Sequence, residues 1–253
     1  MKLFFFLIVM IIFLPIIVNT QEIKVGVKET LEIEALGLKY NSLIENGEPL
    51  KVSFELFNAG SVGYKARVKL NIFNQSNLLQ TVWGNEKDFA PGITHHFDIY
   101  YPINQVGNFK AEVKVYFADE IKELKSFNFQ VKKTTLPENT FDMRDFNTYE
   151  KEIEFKIVSN KTLEKLLIIP TNCPMGWICE QTKIERMNEN ELNEITLSYE
   201  PSLWKESDIT INVLTEDGKY LTNKPFTLRR VGMLRQFLHD FSRIFKKYFS
   251  IIF

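Results

Sequence analysis

The groups in this 253-residue chain whose spacing raises a question of chemistry are two cysteines, three histidines and one serine set among small residues. Cys173 and Cys179 enclose Pro174-Met175-Gly176-Trp177-Ile178, and the Pro and Gly let the chain turn back between them. Outside the cytoplasm an isolated close pair of this kind oxidises, so a Cys173–Cys179 disulfide is expected. A zinc site would need two further ligands, and only His95, His96 and His239 are there to supply imidazole. Redox catalysis uses a C-x-x-C pair at a helix start, which this spacing does not match.

Ala59-Gly60-Ser61-Val62-Gly63 resembles a relaxed nucleophile elbow. That device needs a helix directly after the serine, whereas Tyr64 to Phe73 alternates like a strand, so a strand-to-strand turn is expected. His95 and His96 are adjacent on a strand pattern, and adjacent strand residues point to opposite faces, so they do not chelate one ion. The acidic stretch Asn188-Glu189-Asn190-Glu191 with Glu194 lacks the ordered ligand spacing of a calcium loop and reads as a solvated turn. No H-E-x-x-H, P-loop or EF-hand spacing occurs. The expectation is therefore a protein without catalytic residues, metal or cofactor. Asn74-Gln75-Ser76 and Asn160-Lys161-Thr162 are N-glycosylation sequons, which makes Asn74 and Asn160 candidate acceptors in an exported chain.

The elements that would position these groups begin with an export signal. Lys2 precedes an apolar run from Leu3 to Val18, and Val18-Asn19-Thr20 offers a cleavage site before Gln21. The run is shorter than the ~20 residues that cross a bilayer comfortably. It is read as a cleaved signal peptide or an uncleaved anchor over 1–20, and either places the remainder outside the cytoplasm, in the extracellular space or cell envelope.

From there the dominant signal is period-2 alternation, as half-buried antiparallel strands require. Val52, Phe54 and Leu56 alternate with polar residues; Ala66, Val68, Leu70 and Ile72 face one way, while Lys65, Arg67, Lys69 and Asn71 face water. Phe97-Ile99-Tyr101, Phe109 to Phe117 and Phe127-Phe129-Val131 continue the pattern. Asn46-Gly47, Asn74 to Asn77 and Pro91-Gly92 supply turns between them. After a linker at 134–140 the alternation resumes in Ile153-Phe155-Ile157, Ile195-Leu197-Tyr199 and Ile209-Ile211-Val213, with a hairpin turn at Asp217-Gly218. The fold predicted is all-β, two tandem immunoglobulin-like sandwiches over 21–133 and 141–230.

The last stretch, 231–253, has a different period. Leu234, Phe237, Leu238, Phe241, Phe245 and Tyr248 recur at helical spacing, and Arg243, Lys246 and Lys247 belong to the other side. This predicts a basic amphipathic helix that lies on an anionic membrane surface, packs on a protein partner or covers its own sandwich. From Arg229 onward there are six basic residues and one acid; setting these and Lys2 aside leaves 24 basic and 31 acidic residues, a net −7. The overall charge of −1 argues against a nucleic-acid partner.

Short motifs carry a resemblance. Phe54-Glu55-Leu56-Phe57-Asn58-Ala59-Gly60 followed by Ala66-Arg67-Val68 is similar to the opening of CARDB-type domains and archaeal S-layer-associated Ig-like domains. Phe89-Ala90-Pro91-Gly92 leading to Phe97-Asp98-Ile99 resembles their next element, and Val106-Gly107-Asn108-Phe109 the start of a late strand. Ile169-Pro170 with Met175-Gly176-Trp177 resembles Ig-like modules found beside carbohydrate-binding domains, although the cysteine pair departs from that pattern. The resemblance implies a non-catalytic envelope, adhesion or spacer module whose partner is an envelope protein or a glycan. The alternative expectation is a subunit of a surface assembly that oligomerises through the C-terminal helix.

Overall fold

The computed structural model describes residues 29–136, 140–149, 151–174, 176–200 and 207–228. The expected signal segment, the C-terminal helix and its residues Leu234 to Tyr248 lie outside them. Among the described residues every regular element is a strand.

The first nine strands are β1 (Ile33–Tyr40), β2 (Leu43–Ile44), β3 (Leu50–Asn58), β4 (Tyr64–Asn74), β5 (Asn77–Trp83), β6 (Lys87–Phe89), β7 (Thr94–Tyr101), β8 (Gly107–Phe117) and β9 (Glu120–Val131). They form one sheet in the order β1-β3-β7 and a second in the order β2-β9-β8-β4-β5, with β6 also paired to β4. Neighbours are antiparallel except β2 and β9, which run parallel through Leu43–Gln130 and Ile44–Val131. Alternation decides which side chains lie between the sheets. Val52, Phe54 and Leu56 come from one sheet, and Ala66, Val68, Leu70, Ile72, Ala111, Val113 and Val115 from the other, all buried in a single apolar cluster.

Eight further strands follow: β10 (Phe141–Thr148), β11 (Glu152–Ser159), β12 (Leu163–Thr171), β13 (Ile178–Cys179), β14 (Thr182–Met187), β15 (Asn193–Glu200), β16 (Ser207–Thr215) and β17 (Leu221–Leu228). Their sheets are β10-β11-β15-β13 and β14-β12-β16-β17. Ile153, Phe155, Ile157, Ile195 and Leu197 from one sheet meet Leu166, Ile168, Ile209, Ile211 and Val213 from the other in a second cluster. The all-β class and the broad plan of immunoglobulin-like sandwiches are thus as expected.

The expected turns hold at several places. Ser61 sits in a bend between β3 and β4, the strand-to-strand connection that the alternation of Tyr64 to Phe73 requires. Gln75 takes a left-handed φ of 55° between β4 and β5, and Gly218 one of 70° between β16 and β17. The side chains of both sequon asparagines, Asn74 and Asn160, are exposed.

One expectation fails. Arg67 and Asn71 lie on the side of β4 predicted to meet water, yet each is only 7% exposed. The Asn71 amide oxygen accepts a hydrogen bond from the Thr81 hydroxyl at 2.9 Å on neighbouring β5. Arg67 is covered because the second sandwich packs against the first.

Candidate functional site

The two sandwiches meet along a face that neither cluster alone explains. Strand β12 is buried at five consecutive positions, Leu166 to Pro170. Leu166 and Ile168 face its own core. Leu167 and Ile169, together with Leu214 and Leu221 of neighbouring strands, belong instead to the apolar cluster of the first sandwich. A strand with oil on both sides reads as a continuous hydrophobic run, which is what Leu166-Leu167-Ile168-Ile169 is.

Polar groups fasten the rim of this apolar contact. At one end, Arg67 on β4 meets Glu200 at the end of β15 in a two-pronged pair, Nη1 to Oε2 and Nη2 to Oε1, both 3.1 Å. Nη2 also reaches Glu180 Oε1 at 3.0 Å and Glu86 Oε2 at 3.4 Å. Burial alone would lower the Arg67 pKa, but the Glu200 hydrogen bond and the surrounding carboxylates raise it. Glu200 is held below the usual carboxylate range, first by that same hydrogen bond. The buried Arg67 Nε has no hydrogen-bond partner among the described residues. A fork-to-fork pair of this kind fixes direction as well as charge.

In the middle, Gln181 stands in for a strand. Its Oε1 accepts from the Tyr100 backbone N–H at 3.0 Å and its Nε2 donates to the Trp83 carbonyl at 3.2 Å. Trp83 ends β5 and Tyr100 lies on β7, the edges of the two sheets of the first sandwich. Unpaired edge groups invite aggregation and are usually covered. Here one buried amide from the second sandwich satisfies both.

Next to it, Lys51 on β3 donates to Glu216 Oε1 at 2.7 Å, and the Tyr100 hydroxyl donates to the same oxygen at 3.1 Å. Asp98 lies 3.6 Å from the Lys51 ammonium and accepts from the Ser53 hydroxyl. Desolvation works against charge on Lys51, Asp98 and Glu216, yet the partners win: the lysine is raised and both carboxylates are lowered. At the far end two glycine turns touch. A Cβ on Gly218 would fall 2.4 Å from the Glu48 backbone nitrogen, and one on Gly47 would fall 2.7 Å from the Thr135 nitrogen.

The expected disulfide is present. Cys173 follows β12 and Cys179 closes β13, so the bridge ties the end of one sheet to the edge strand of the other. Trp177 between them stacks on Tyr199 with centroids 5.7 Å apart. Glu180 and Gln181 follow Cys179 directly, so the bridge anchors the segment that delivers both to the junction. His95 and His96 do not share a ligand: His95 bonds the Asp88 carbonyl at 2.9 Å and His96 the Asp98 carboxylate at 3.1 Å. Among the described residues no three His, Cys, Asp or Glu side chains converge on a metal-sized site. The cysteine spacing announces the disulfide, whereas nothing in the sequence marks Arg67, Gln181 or Glu216 as junction residues. The one signal for the junction was the unbroken run Leu166 to Ile169.

No family model matches the chain, and no curated protein matches it. Among solved structures, a DNA-bound alkylpurine DNA glycosylase of Pseudomonas fluorescens aligns with a TM-score of 0.33 and 17% identity, covering 41% of this chain and 31% of the glycosylase. A CARDB domain of Pyrococcus furiosus in complex with two metal ions aligns with a TM-score of 0.32 and 14% identity, over 42% of this chain and 96% of that domain. A β-glucosidase of Listeria innocua aligns with a TM-score of 0.32 and 12% identity over 43% of this chain and 17% of the enzyme. The chain thus spans under a third of the two enzymes, and likenesses this distant carry no reading of activity.

Proposed function

We propose that the chain is an exported, non-catalytic module of the cell envelope, in which two Ig-like sandwiches act as one rigid structural or adhesion-like arm held near the membrane. The observation that carries this reading is the junction. Leu167, Ile169, Leu214 and Leu221 of the second sandwich are built into the apolar cluster of the first. Inter-domain contacts that lack such a hydrophobic centre leave domains free to move. This one favours a fixed geometry, as a spacer or presenting arm needs. The carboxylates gathered there, Glu86, Glu180 and Glu200, are all engaged by Arg67. Groups so paired serve position rather than proton transfer.

Export is supported by the apolar stretch after Lys2 and by the Cys173–Cys179 bridge, a bond that persists in oxidising compartments. The basic stretch from Arg229 onward supplies charge for an anionic lipid surface. Fractionation of the native source tests the reading. The expected result is envelope residence, with salt or detergent releasing a monomer whose intact mass reports cleavage before Gln21 and any glycan at Asn74 or Asn160. A large complex resisting both treatments would favour an assembly subunit, and residence in the reducing cytosol would overturn the proposal.

A further inference from the structure

Beside the Arg67 cluster lies an open groove of about 690 Å³ that both sandwiches line. It runs between the start of β4, the tight β8–β9 turn and Ile178 of β13. We infer that this groove is a binding site for a neutral oligosaccharide. The inference rests on the module reading above and gives that module a ligand class.

Three properties of the groove point to that chemistry. The first is its mixture of charges. Lys65 bridges Glu86 at 2.8 Å, Arg67 lies against the same carboxylate, and Glu120 also lines the groove. An anion would meet the carboxylates and a cation the ammonium and guanidinium. A hydroxyl donates and accepts at once, so it fits alternating acceptors and donors without a charge mismatch. The second is an aromatic wall. Tyr116, half-buried, packs edge-on to buried Trp83 with centroids 5.1 Å apart. The Lys69 ammonium lies over one face of each ring, and both residues line the groove without Lys69. Sugar rings carry C–H faces that pack on such surfaces while their hydroxyls turn to polar neighbours. The third is preorganisation. Arg67 is clamped by Glu200, and the turn beside the groove is set by left-handed φ values of 44° at Ala118 and 66° at Asp119. Binding to a preset groove loses little free energy to ordering. Since the second sandwich supplies Ile178 and the carboxylate that clamps Arg67, the site exists only while the two are docked.

The test is nuclear magnetic resonance on the full chain, following the Trp83 indole N–H, assigned by comparison with Trp83→Phe. The probes are neutral hexasaccharides of mannose, glucose and N-acetylglucosamine, with hexagalacturonate as the anionic arm. The expected result is a saturable shift of the Trp83 signal with at least one neutral probe. Tyr116→Ala should then weaken binding roughly tenfold. Glu120→Gln, an exposed change at the rim with little bearing on folding, should weaken it in the same direction. No shift with any neutral probe, a shift with hexagalacturonate alone, or unchanged affinity in both variants would each overturn the site. These outcomes separate from the reading beneath them: envelope residence without a sugar response removes the site alone, whereas cytosolic residence removes the module reading whatever the spectra show.

Discussion

The Arg67 guanidinium of the first sandwich and the Glu200 carboxylate of the second lie fork to fork across the junction, with both N–O distances 3.1 Å. Truncating the arginine takes the hydrogen-bonded cation away from Glu180 and Glu200 and leaves Glu200 only the weaker attraction of Lys65 and Lys151. Removing one partner of a fully buried pair costs about 3–5 kcal/mol. Glu200 remains 54% exposed, so water recovers part of the loss. Arg67→Ala is therefore expected to lower stability by about 2–3 kcal/mol, measured by urea unfolding, whereas Arg67→Met loses less because its stem still fills the space. An unchanged urea midpoint in Arg67→Ala would show that the junction does not depend on this pair.

Acid should loosen the same face. Glu200, Glu216 and Asp98 all have folded-state pKa values below the ordinary carboxylate range. A depressed carboxylate contributes stability that is present above its unfolded value of about 4, and that is lost as pH falls through the lower folded value. Melting temperature is expected to hold down to about pH 5 and then fall, more gently in a Lys51→Met, Glu216→Gln double variant. An equally steep fall in that variant would place the acid sensitivity elsewhere.

At the alkaline end the sign reverses. Burial pushes the Tyr101 hydroxyl up to about 12, and burial with the nearby Glu32 carboxylate pushes Tyr64 to about 12. A raised phenol favours the folded state below its unfolded value of about 10 and ceases to do so as pH climbs through the folded value. Phenolate absorbance from these two should therefore develop in a late stage, only on approach to unfolding. Tyr64→Phe and Tyr101→Phe should each remove amplitude from the late stage alone.

Opening the disulfide should be felt at Tyr100. The cysteines are six positions apart, and a loop that short yields about 2 kcal/mol in the chain-entropy account. Cys173→Ser with Cys179→Ser releases the segment after β13 that carries Glu180 and Gln181. Hydrogen exchange of the Tyr100 amide, which donates to Gln181, should accelerate more than exchange of the Val113 amide in the centre of the first sandwich. Equal acceleration at both would mean that the bridge stabilises the fold without positioning Gln181.

Two glycines form a controlled pair. Gly92 and Gly218 both have left-handed φ, 75° and 70°. A Cβ on Gly92 would meet nothing within 4 Å, while one on Gly218 would strike the Asn46-Gly47-Glu48 turn. Gly92→Ala is expected to cost about 1 kcal/mol from backbone strain, and Gly218→Ala clearly more because the turns must part. Small-angle scattering should show an enlarged particle for Gly218→Ala only, and matching profiles would refute the contact.

Much of this architecture is legible in the alternation. Val52 to Leu56, Ala66 to Ile72 and Ile153 to Ile157 announce which side of each strand is buried, because one face meets water and the other does not. The junction hides because it breaks that rule in two ways. Along β12 both faces are covered, so period 2 disappears and the strand reads as an undifferentiated apolar run. Along β4 the outward-facing Arg67 is polar in type but buried in fact, because it keeps its charge and finds its counter-charges 133 and 113 positions away. No local window contains such a pair. Gln181 is harder still, since a lone glutamine says nothing about which two backbone groups it completes.

The contact between Gly47 and Gly218 has a mechanical corollary. With glycine turns seated against each other at one end and an arginine clamp at the other, the two docked sandwiches have two separated points of purchase, which resist torque as well as tension. A load applied at the far tip of either half would be delivered to the other as a lever delivers it, by rotation of the whole body rather than by bending at the middle.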